Sequence, residues 1–350
     1  MNTNLNAAKT AKNDEFYTQY EDIEKEVAAY VAYDPDVFRD KTVLLPCDDP
    51  ERSNFTKYFL DHFNDYGIGK LVSTCISQEA RMGMPLFYGG DGRGKYMIRR
   101  RGYEPVYGLL SGGGDFRSVE ITELRDAADV IVTNPPFSLF REFIAWIRGG
   151  WNEDKKFLVI GNMNAAVHKD IFPLIKESKI WLGTTSRFSF ETPDGYLLKG
   201  QPHEKGGKKY TIACNTRWFT NLEHGHRHEP LRLMTMAENK AHSRHKEVRG
   251  HDYQHYDNYD AMEVPFVDAI PSDYDGVIGV PASFLDKYNP EQFEILSSIQ
   301  HNDDLYRTKH YSREQYEDAS LLDAHGVIMV NGVPKSVYTR ILIRHKHPKT

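Results

Sequence analysis

Asn134-Pro135-Pro136-Phe137 is the stretch best suited to chemistry. The apolar run Val130-Ile131-Val132 leads into it, and a helical pattern from about Leu139 to Ile147 follows. In open α/β sheets ligands bind outside the carboxyl ends of the strands, so the stretch lies where a site belongs. Asn134 offers a side-chain carbonyl oxygen as acceptor, and a proline main-chain carbonyl offers a second. Two acceptors aimed at one –NH2 hold it and turn its lone pair toward an incoming electrophile. The two prolines stiffen the loop before substrate arrives, and Phe137 can stack on a flat ring. This set suits methylation of an amino nitrogen on a planar group. No strong base is needed, because the amine attacks first and its proton leaves later.

The elements around this loop read as a parallel α/β sheet. Asp14–Tyr33 is a turn and then a helix with Ile23, Val27, Tyr30 and Val31 on one face. Thr42–Pro46 is a buried strand, and a helix is expected from Glu51 to Phe63, with Asp49 as its cap and Pro50 in its first position. Leu71–Ile76 is the next strand, and Lys95–Arg101 is a strand of an inserted hairpin. Val106–Leu110 is expected as a third core strand, Phe157–Ile160 as a fifth and Ile180–Leu182 as a sixth, with a helix at Ile171–Lys176 between the last two. The strand–helix alternation predicts a Rossmann-like, mostly parallel twisted sheet with helices on both faces. Beyond Thr184 the pattern weakens. The division expected is a catalytic domain over 1–190 and a recognition region over 191–350 that contributes back to the core.

Bulk properties narrow the function classes. The chain has 350 residues, 40% hydrophobic and 27% charged, an ordinary globular composition. No apolar run approaches the roughly 20 residues of a membrane-spanning helix, and Met1–Lys12 lacks a signal-peptide core, so a cytoplasmic protein without membrane contact is expected. Cys47, Cys75 and Cys214 have no zinc-like spacing and read as free thiols in a reduced compartment. Seven of the 15 histidines fall between His224 and His255, but no carboxylates complete a site, and no metal is expected. The net charge of −6 argues against a purely nucleic-acid-binding module and leaves room for an enzyme with local basic clusters, such as Arg93–Arg101 and Arg244–Arg249.

Asn/Asp-Pro-Pro-Tyr/Phe is the motif of amino-group methyltransferases, and the chain resembles one branch of them closely: the EcoRI-type adenine-specific DNA methyltransferases. The resemblance is carried by Asn13–Tyr20, Cys47–Pro50 with Ser53–Phe55, Gly114–Ser118, Thr133–Glu142, Lys155–Phe157 and Lys179–Gly183. It continues in Tyr256–Ala261, Asp275–Pro281, Asn289–Phe293 and Arg340–Ile343, so it covers most of the chain in patches.

The resemblance implies S-adenosylmethionine as cofactor and S-adenosylhomocysteine as product. Phe16, Tyr17 and Thr18 would line its methionine end. The loop Cys47-Asp48-Asp49 would bind it there too, with Asp48 favoured over Asp49 for the α-ammonium because Asp49 also suits a plain cap. Asp115 would accept from its adenine amino group, Phe116 would lie against the ring, and Asn134 would sit at the methyl group. The loop lacks the glycines common in methyltransferases, as in the EcoRI branch. The ribose-binding acid is not identified, and Glu79 reads as a surface residue. The segment order resembles the gamma class, with target recognition at the C-terminus, where Trp218, Phe219, Tyr253, Tyr256 and Tyr259 are aromatics that stack on bases or fill a core.

The substrate implied is double-stranded DNA with the target adenine flipped out. The protein is expected to act as a monomer, with a cognate restriction endonuclease left open as a partner. Transfer to RNA or to a protein glutamine, and a catalytically silent DNA-binding blocker of restriction, are the alternatives the motif leaves. Pro193–Arg249 diverges, so a target sequence does not carry over.

Overall fold

The computed structural model describes residues 17–77, 92–149, 155–186, 188–191, 203–205, 208–213, 215–299, 305–314 and 316–349. Phe16, Glu79 and Cys214 lie outside them. The described residues up to Ala165, with Ile180–His224, form one compact unit. Ala166–Lys179 and the described residues from Gly225 form a second. The first unit thus runs on to His224, past the change expected near 190.

The first unit is built on an eight-stranded sheet. In chain order its strands are β2 (Thr42–Leu45), β3 (Lys70–Cys75), β4 (Lys95–Arg100), β5 (Val106–Leu109), β6 (Val130–Thr133), β7 (Lys156–Asn162), β8 (Trp181–Leu182) and β12 (Thr216–Thr220). In space the order is β5-β4-β3-β2-β6-β7-β12-β8. The central strands β3, β2, β6 and β7 pair in parallel, and only β4 and β12 run against the rest, so six of the eight point one way. The central strands are buried along most of their length, as the apolar runs of the sequence require.

Alternation along each strand sends side chains to opposite faces. Val43, Leu45, Val130, Val132, Leu158 and Ile160 join one core cluster with α1 (Tyr20–Tyr33) and α2 (Asn54–Asp61). Across the sheet lie α3 (Val119–Asp126) and α4 (Phe140–Gly149), whose Phe140 ring packs on Phe219 of β12. A methyl group on Gly161 of β7 would overlap that Phe140 ring, so glycine here permits close helix–sheet packing.

Two local expectations are corrected, and one left open is settled. Val106–Leu110 is no core strand: β5 is the sheet's edge, with Val106 and Tyr107 more than half exposed. It is the outer arm of the hairpin whose inner arm, β4, was expected. The helix placed at Glu51–Phe63 is shorter. Pro50–Arg52 form a turn under Asp49, and Ser53 is the true cap, its hydroxyl accepting from the Phe55 N–H. Trp218 and Phe219 are fully buried in the sheet, so neither can stack on a base. Beyond Thr184 the strand that completes this sheet, β12, is antiparallel, so the strand–helix alternation ends.

A second sheet of this unit pairs β1 (Tyr17–Thr18), β9 (Phe188–Glu191), β11 (Lys208–Ala213) and β10 (His203–Lys205), all antiparallel, in the order β1-β9-β11-β10. The second unit holds a sheet in the order β13 (Met262–Glu263), β14 (Ile278–Pro281), β18 (Arg340–His345) and β15 (Phe293–Ser298), with α5 (Phe172–Lys176) against β15. A separate two-stranded ribbon joins β16 (Val327–Val330) to β17 (Val333–Ser336) beside a short helix, Ala319–Asp323. Tyr256 and Tyr259 are buried in this unit's core and are likewise excluded as stacking residues. Among the described residues no helix is long and apolar enough to cross a membrane.

One buried carboxylate was not singled out in the sequence. Glu26 of α1 is fully buried and accepts from the N–H groups of Thr184 and Thr185, the Thr184 hydroxyl and the Tyr30 hydroxyl, at 2.7–2.8 Å. Glu26→Ala would strand these donors and is expected to cost about 2–4 kcal/mol in urea unfolding. A change below about 0.5 kcal/mol, within the surface-substitution range, would refute that role.

Candidate active site

Four loops meet at the carboxyl ends of β2, β3 and β6. The first follows β2 and contains Cys47, Asp48 and Asp49. Asp48 is buried, and its two carboxylate oxygens accept from different hydroxyls: Ser53 at 2.7 Å and Thr133 at 2.6 Å. Its main chain is fixed to β3 as well, the N–H donating to the Thr74 carbonyl and the carbonyl accepting from the Ser73 hydroxyl. Asp49 turns the other way and caps the following turn, accepting from the N–H groups of Glu51 and Arg52. Of the two acids, Asp49 is the cap of the local turn and Asp48 faces the neighbouring segments. Cys47, in no disulfide, is half-buried on the same loop.

The second loop is the catalytic candidate. Asn134, almost completely buried, follows Thr133 directly, and its side-chain N–H lies 3.5 Å from the Thr18 hydroxyl. Thr18 is held in turn by Asn54, whose amide donates to its carbonyl at 2.8 Å. Pro135 is buried, and the Pro136 carbonyl accepts from the Leu139 N–H in a single 3-10 turn, Phe137–Leu139, before α4 begins. Phe137 is half-buried, with part of its ring against the α1–α2 core. Thr18, Asp48 and Asn134 are thus brought together. Tyr17 lies one residue away in β1, its main chain paired with Glu191.

The third and fourth segments are Cys75–Ser77 and the glycine run Gly112–Gly114. Gly114 has φ +81°, and a methyl group there would overlap the Cys75 carbonyl oxygen, so only glycine lets the two backbones approach. Ser77 N–H donates to the Gly113 carbonyl. The run delivers Asp115 and Phe116. Arg117 grips both oxygens of Asp115, at 2.9 and 2.7 Å, and reaches Glu142 at 3.1 Å. This guanidinium holds the Asp115 carboxyl below the usual carboxylate range. Phe116 is buried between Phe143 and Trp146, in edge contact with both, so its ring belongs to the core under the loop.

Ser53, Asn54, Thr133 and Arg117 are the site residues that sequence reasoning passed over. Thr133 had a visible signal, a polar residue closing an apolar strand. Arg117 had none, because a two-residue ion pair across a turn has no periodicity. The basic cluster Arg93–Arg101 is largely spent on local partners: Lys95 on Glu51, Arg101 on Asp40, and Arg99 on the Phe63 ring. Arg244 likewise pairs with Asp268. Among the described residues no group of three or more His, Cys, Asp or Glu could hold a metal ion.

The Asp48–Thr133 bond predicts a coupling of about 1–2 kcal/mol in a double-mutant cycle of Asp48→Asn and Thr133→Val. Additive unfolding energies would show that the bond carries nothing. The depressed Asp115 carboxyl adds stability above its unfolded value near 3.8, and that contribution fades as pH falls through the lower folded value. In an NMR titration Arg117→Ala should therefore move the Asp115 midpoint upward. An unmoved midpoint would remove Arg117 as the cause.

Residues 4–346 match the family described as adenine-specific methyltransferase EcoRI. The chain is 40% identical to the type II methyltransferase M.EcoRI of Escherichia coli over 307 residues, covering 83% of this chain and 88% of that protein. It is 34% identical to the type II methyltransferase M.MpnI of Mycoplasma pneumoniae over 98% of both chains. A type II methyltransferase of Mycoplasma genitalium, M.MgeORF184P, is 33% identical over 84% of this chain and 86% of its own length. No solved structure matches. The chain belongs to the EcoRI family of adenine-specific methyltransferases.

Proposed function

We propose that the protein transfers the methyl group of S-adenosylmethionine to the exocyclic N6 of adenine in duplex DNA. The observation that carries this reading is Asn134, buried at the carboxyl end of β6, its amide beside the Thr18 hydroxyl and the preceding Thr133 bonded to Asp48. The strand order supports a class I methyltransferase, Rossmann-like fold: a parallel centre, with antiparallel β12 slotted between β7 and β8.

The residues present fit the cofactor. Asp48 and Asp115 are two carboxylates on neighbouring loops, suited to an α-ammonium and an adenine amino group, and Arg117 keeps Asp115 ionised. Each carboxylate oxygen that accepts one hydrogen bond retains a second lone pair. Phe116 is sealed in the core, so its role is to hold up the Asp115 loop while the adenine packs on other atoms. When bound, S-adenosylmethionine supplies an electrophilic methyl group.

The chain's own part is orientation. The Asn134 side-chain carbonyl and a proline main-chain carbonyl of the same loop accept the two protons of the target amine. Held this way, the amine presents its lone pair to the methyl group, and its proton is lost to solvent after transfer. The 3-10 turn sets Phe137 against the face of the flipped base. The second unit is assigned target recognition. The protein is read as a cytoplasmic monomer, acting alone or beside a restriction endonuclease.

Labelled methyl transfer to unmethylated genomic DNA, followed by base-resolution mapping, tests this directly. N6-methyladenine at one short motif is expected. Label found only in RNA or in protein glutamine would replace DNA as the substrate. Asn134→Ala should lower the rate at least a hundredfold, since it removes an oriented acceptor, while cofactor affinity by calorimetry stays within a few-fold. Loss of both would mean misfolding. A 2-aminopurine at the target should brighten on binding, and no change with bound protein would refute flipping.

A further inference from the structure

Strand β3 carries a hydroxyl where its pattern asks for an apolar residue. Leu71 faces the α1–α2 core, and alternation puts Ser73 on the same face. Ser73 is buried there, as are Thr74 on the opposite face and Thr56 of α2. A buried hydroxyl is costly unless it is hydrogen-bonded. All three are bonded, and all three lead to the main chain of one loop. Thr74 donates to the Pro46 carbonyl at 3.2 Å, and Ser73 donates to the Asp48 carbonyl at 2.7 Å. The Thr56 hydroxyl lies 2.7 Å from the Ser73 oxygen and 3.3 Å from the Asp49 carbonyl. A hydroxyl has one proton to give, and that of Ser73 goes to Asp48, so Thr56 is the donor of that pair. The donor chain therefore runs from Thr56 to Ser73 to the Asp48 main chain.

The loop has to be held because it leaves the ladder at this point. Parallel pairing of β2 with β3 runs in register up to Leu45 opposite Ser73, and at its start the Lys70 N–H donates to the Lys41 carbonyl. The bonds of a parallel ladder are evenly spaced and recur every second residue, so in step the Thr74 carbonyl would accept from Cys47. It accepts from the Asp48 N–H instead, at 2.9 Å. Cys47 is thus an extra residue between β2 and the loop, a bulge of the kind that re-aims the side chain next to it. The Thr74 and Ser73 hydroxyls pin the chain on either side of it, at Pro46 and at Asp48. Past the bulge, the Asp48 carboxylate turns to Ser53 and Thr133.

We propose that Ser73, backed by Thr56, is a positioning residue for the cofactor: by holding the Asp48 carbonyl it keeps the carboxylate where the α-ammonium group binds. The inference rests on the reading of S-adenosylmethionine as cofactor and of Asp48 as its ammonium partner.

The test measures two ligands by calorimetry on the full chain. S-adenosylhomocysteine carries the α-ammonium group, whereas methylthioadenosine keeps the thioether and the adenosine but lacks the amino-acid end. Wild-type protein should bind the first more tightly. Ser73→Ala should weaken S-adenosylhomocysteine about tenfold, the worth of one buried hydrogen bond, and leave methylthioadenosine within about twofold. In an Asp48→Asn background the same change should alter S-adenosylhomocysteine affinity by less than about twofold, because Ser73 acts through that carboxylate. Thr56→Val, which removes a hydroxyl and keeps the side chain's shape, should give the same selective loss at about threefold, and it replaces Ser73→Ala if that variant does not fold. An equal loss for both ligands would overturn the inference, since it marks a purely structural role. Unchanged S-adenosylhomocysteine binding would overturn it too, as would a Ser73→Ala effect that persists in full beside Asp48→Asn. Wild-type protein that binds both ligands alike would remove Asp48 from the ammonium group, and wild-type protein that binds neither would strike the cofactor reading itself; the inference falls with either.

Discussion

The Asp48 carboxylate is the bond on which the rest of the site depends. It is an acceptor with two oxygens, and each faces a hydroxyl from a different segment: Ser53, which caps α2, and Thr133, which ends β6. The main chain of the same residue is tied to β3. One side chain therefore registers the cap of α2 against the end of β6, and the main chain of the same residue registers both against β3. A neutral hydrophobic residue could fill the space but could not satisfy the buried Thr133 hydroxyl and the half-buried Ser53 hydroxyl. The residue after Thr133 is Asn134, so the position of the proposed amine acceptor is set within one residue of this bond.

A second constraint is the close passage of the glycine run against β3. It carries Asp115 to the edge of the site only because Gly114 adopts a conformation that side chains avoid and leaves room for the Cys75 carbonyl. Arg117 then fixes the charge state of Asp115, and Glu142 of α4 fixes Arg117. The ion pairs are half-exposed, so their worth lies in holding geometry and charge more than in stability.

Much of this was legible in the sequence. The run Val130–Phe137 announced a buried strand, a rigid loop and a helix, and the structure has all three in that order. Asn134 was named from its own chemistry, Thr18 and Asp48 from resemblance, and the three come together in space. What was not legible has physical reasons. Val106–Leu109 is apolar in composition, but a hairpin edge uses such residues with water on one side, and periodicity cannot separate that from a core strand. Trp218 and Phe219 lie in a stretch poor in helix and strand signals, yet they are buried in a strand next to the sheet's β8 edge, because antiparallel pairing with β7 depends on residues far away in the chain. Phe116 was read as a ligand contact because a residue's neighbours in sequence do not say which way its ring turns.

That placement of β12 has a consequence for how the chain is made. β7 ends at Asn162, and the strand that covers its outer edge begins at Thr216, after β8 has already been laid down. Until the chain past Thr220 has left the ribosome, the outer backbone N–H and C=O groups of β7 have no partner in the sheet. An open strand of this kind, rich in Phe, Leu, Val and Ile, is a template for pairing with another nascent chain. Pairing over such a sequence separation is also slow to form. Biosynthesis of the first unit therefore passes through a stage in which its central sheet is built but unsealed, and fragments that stop short of β12 would retain that adhesive edge permanently.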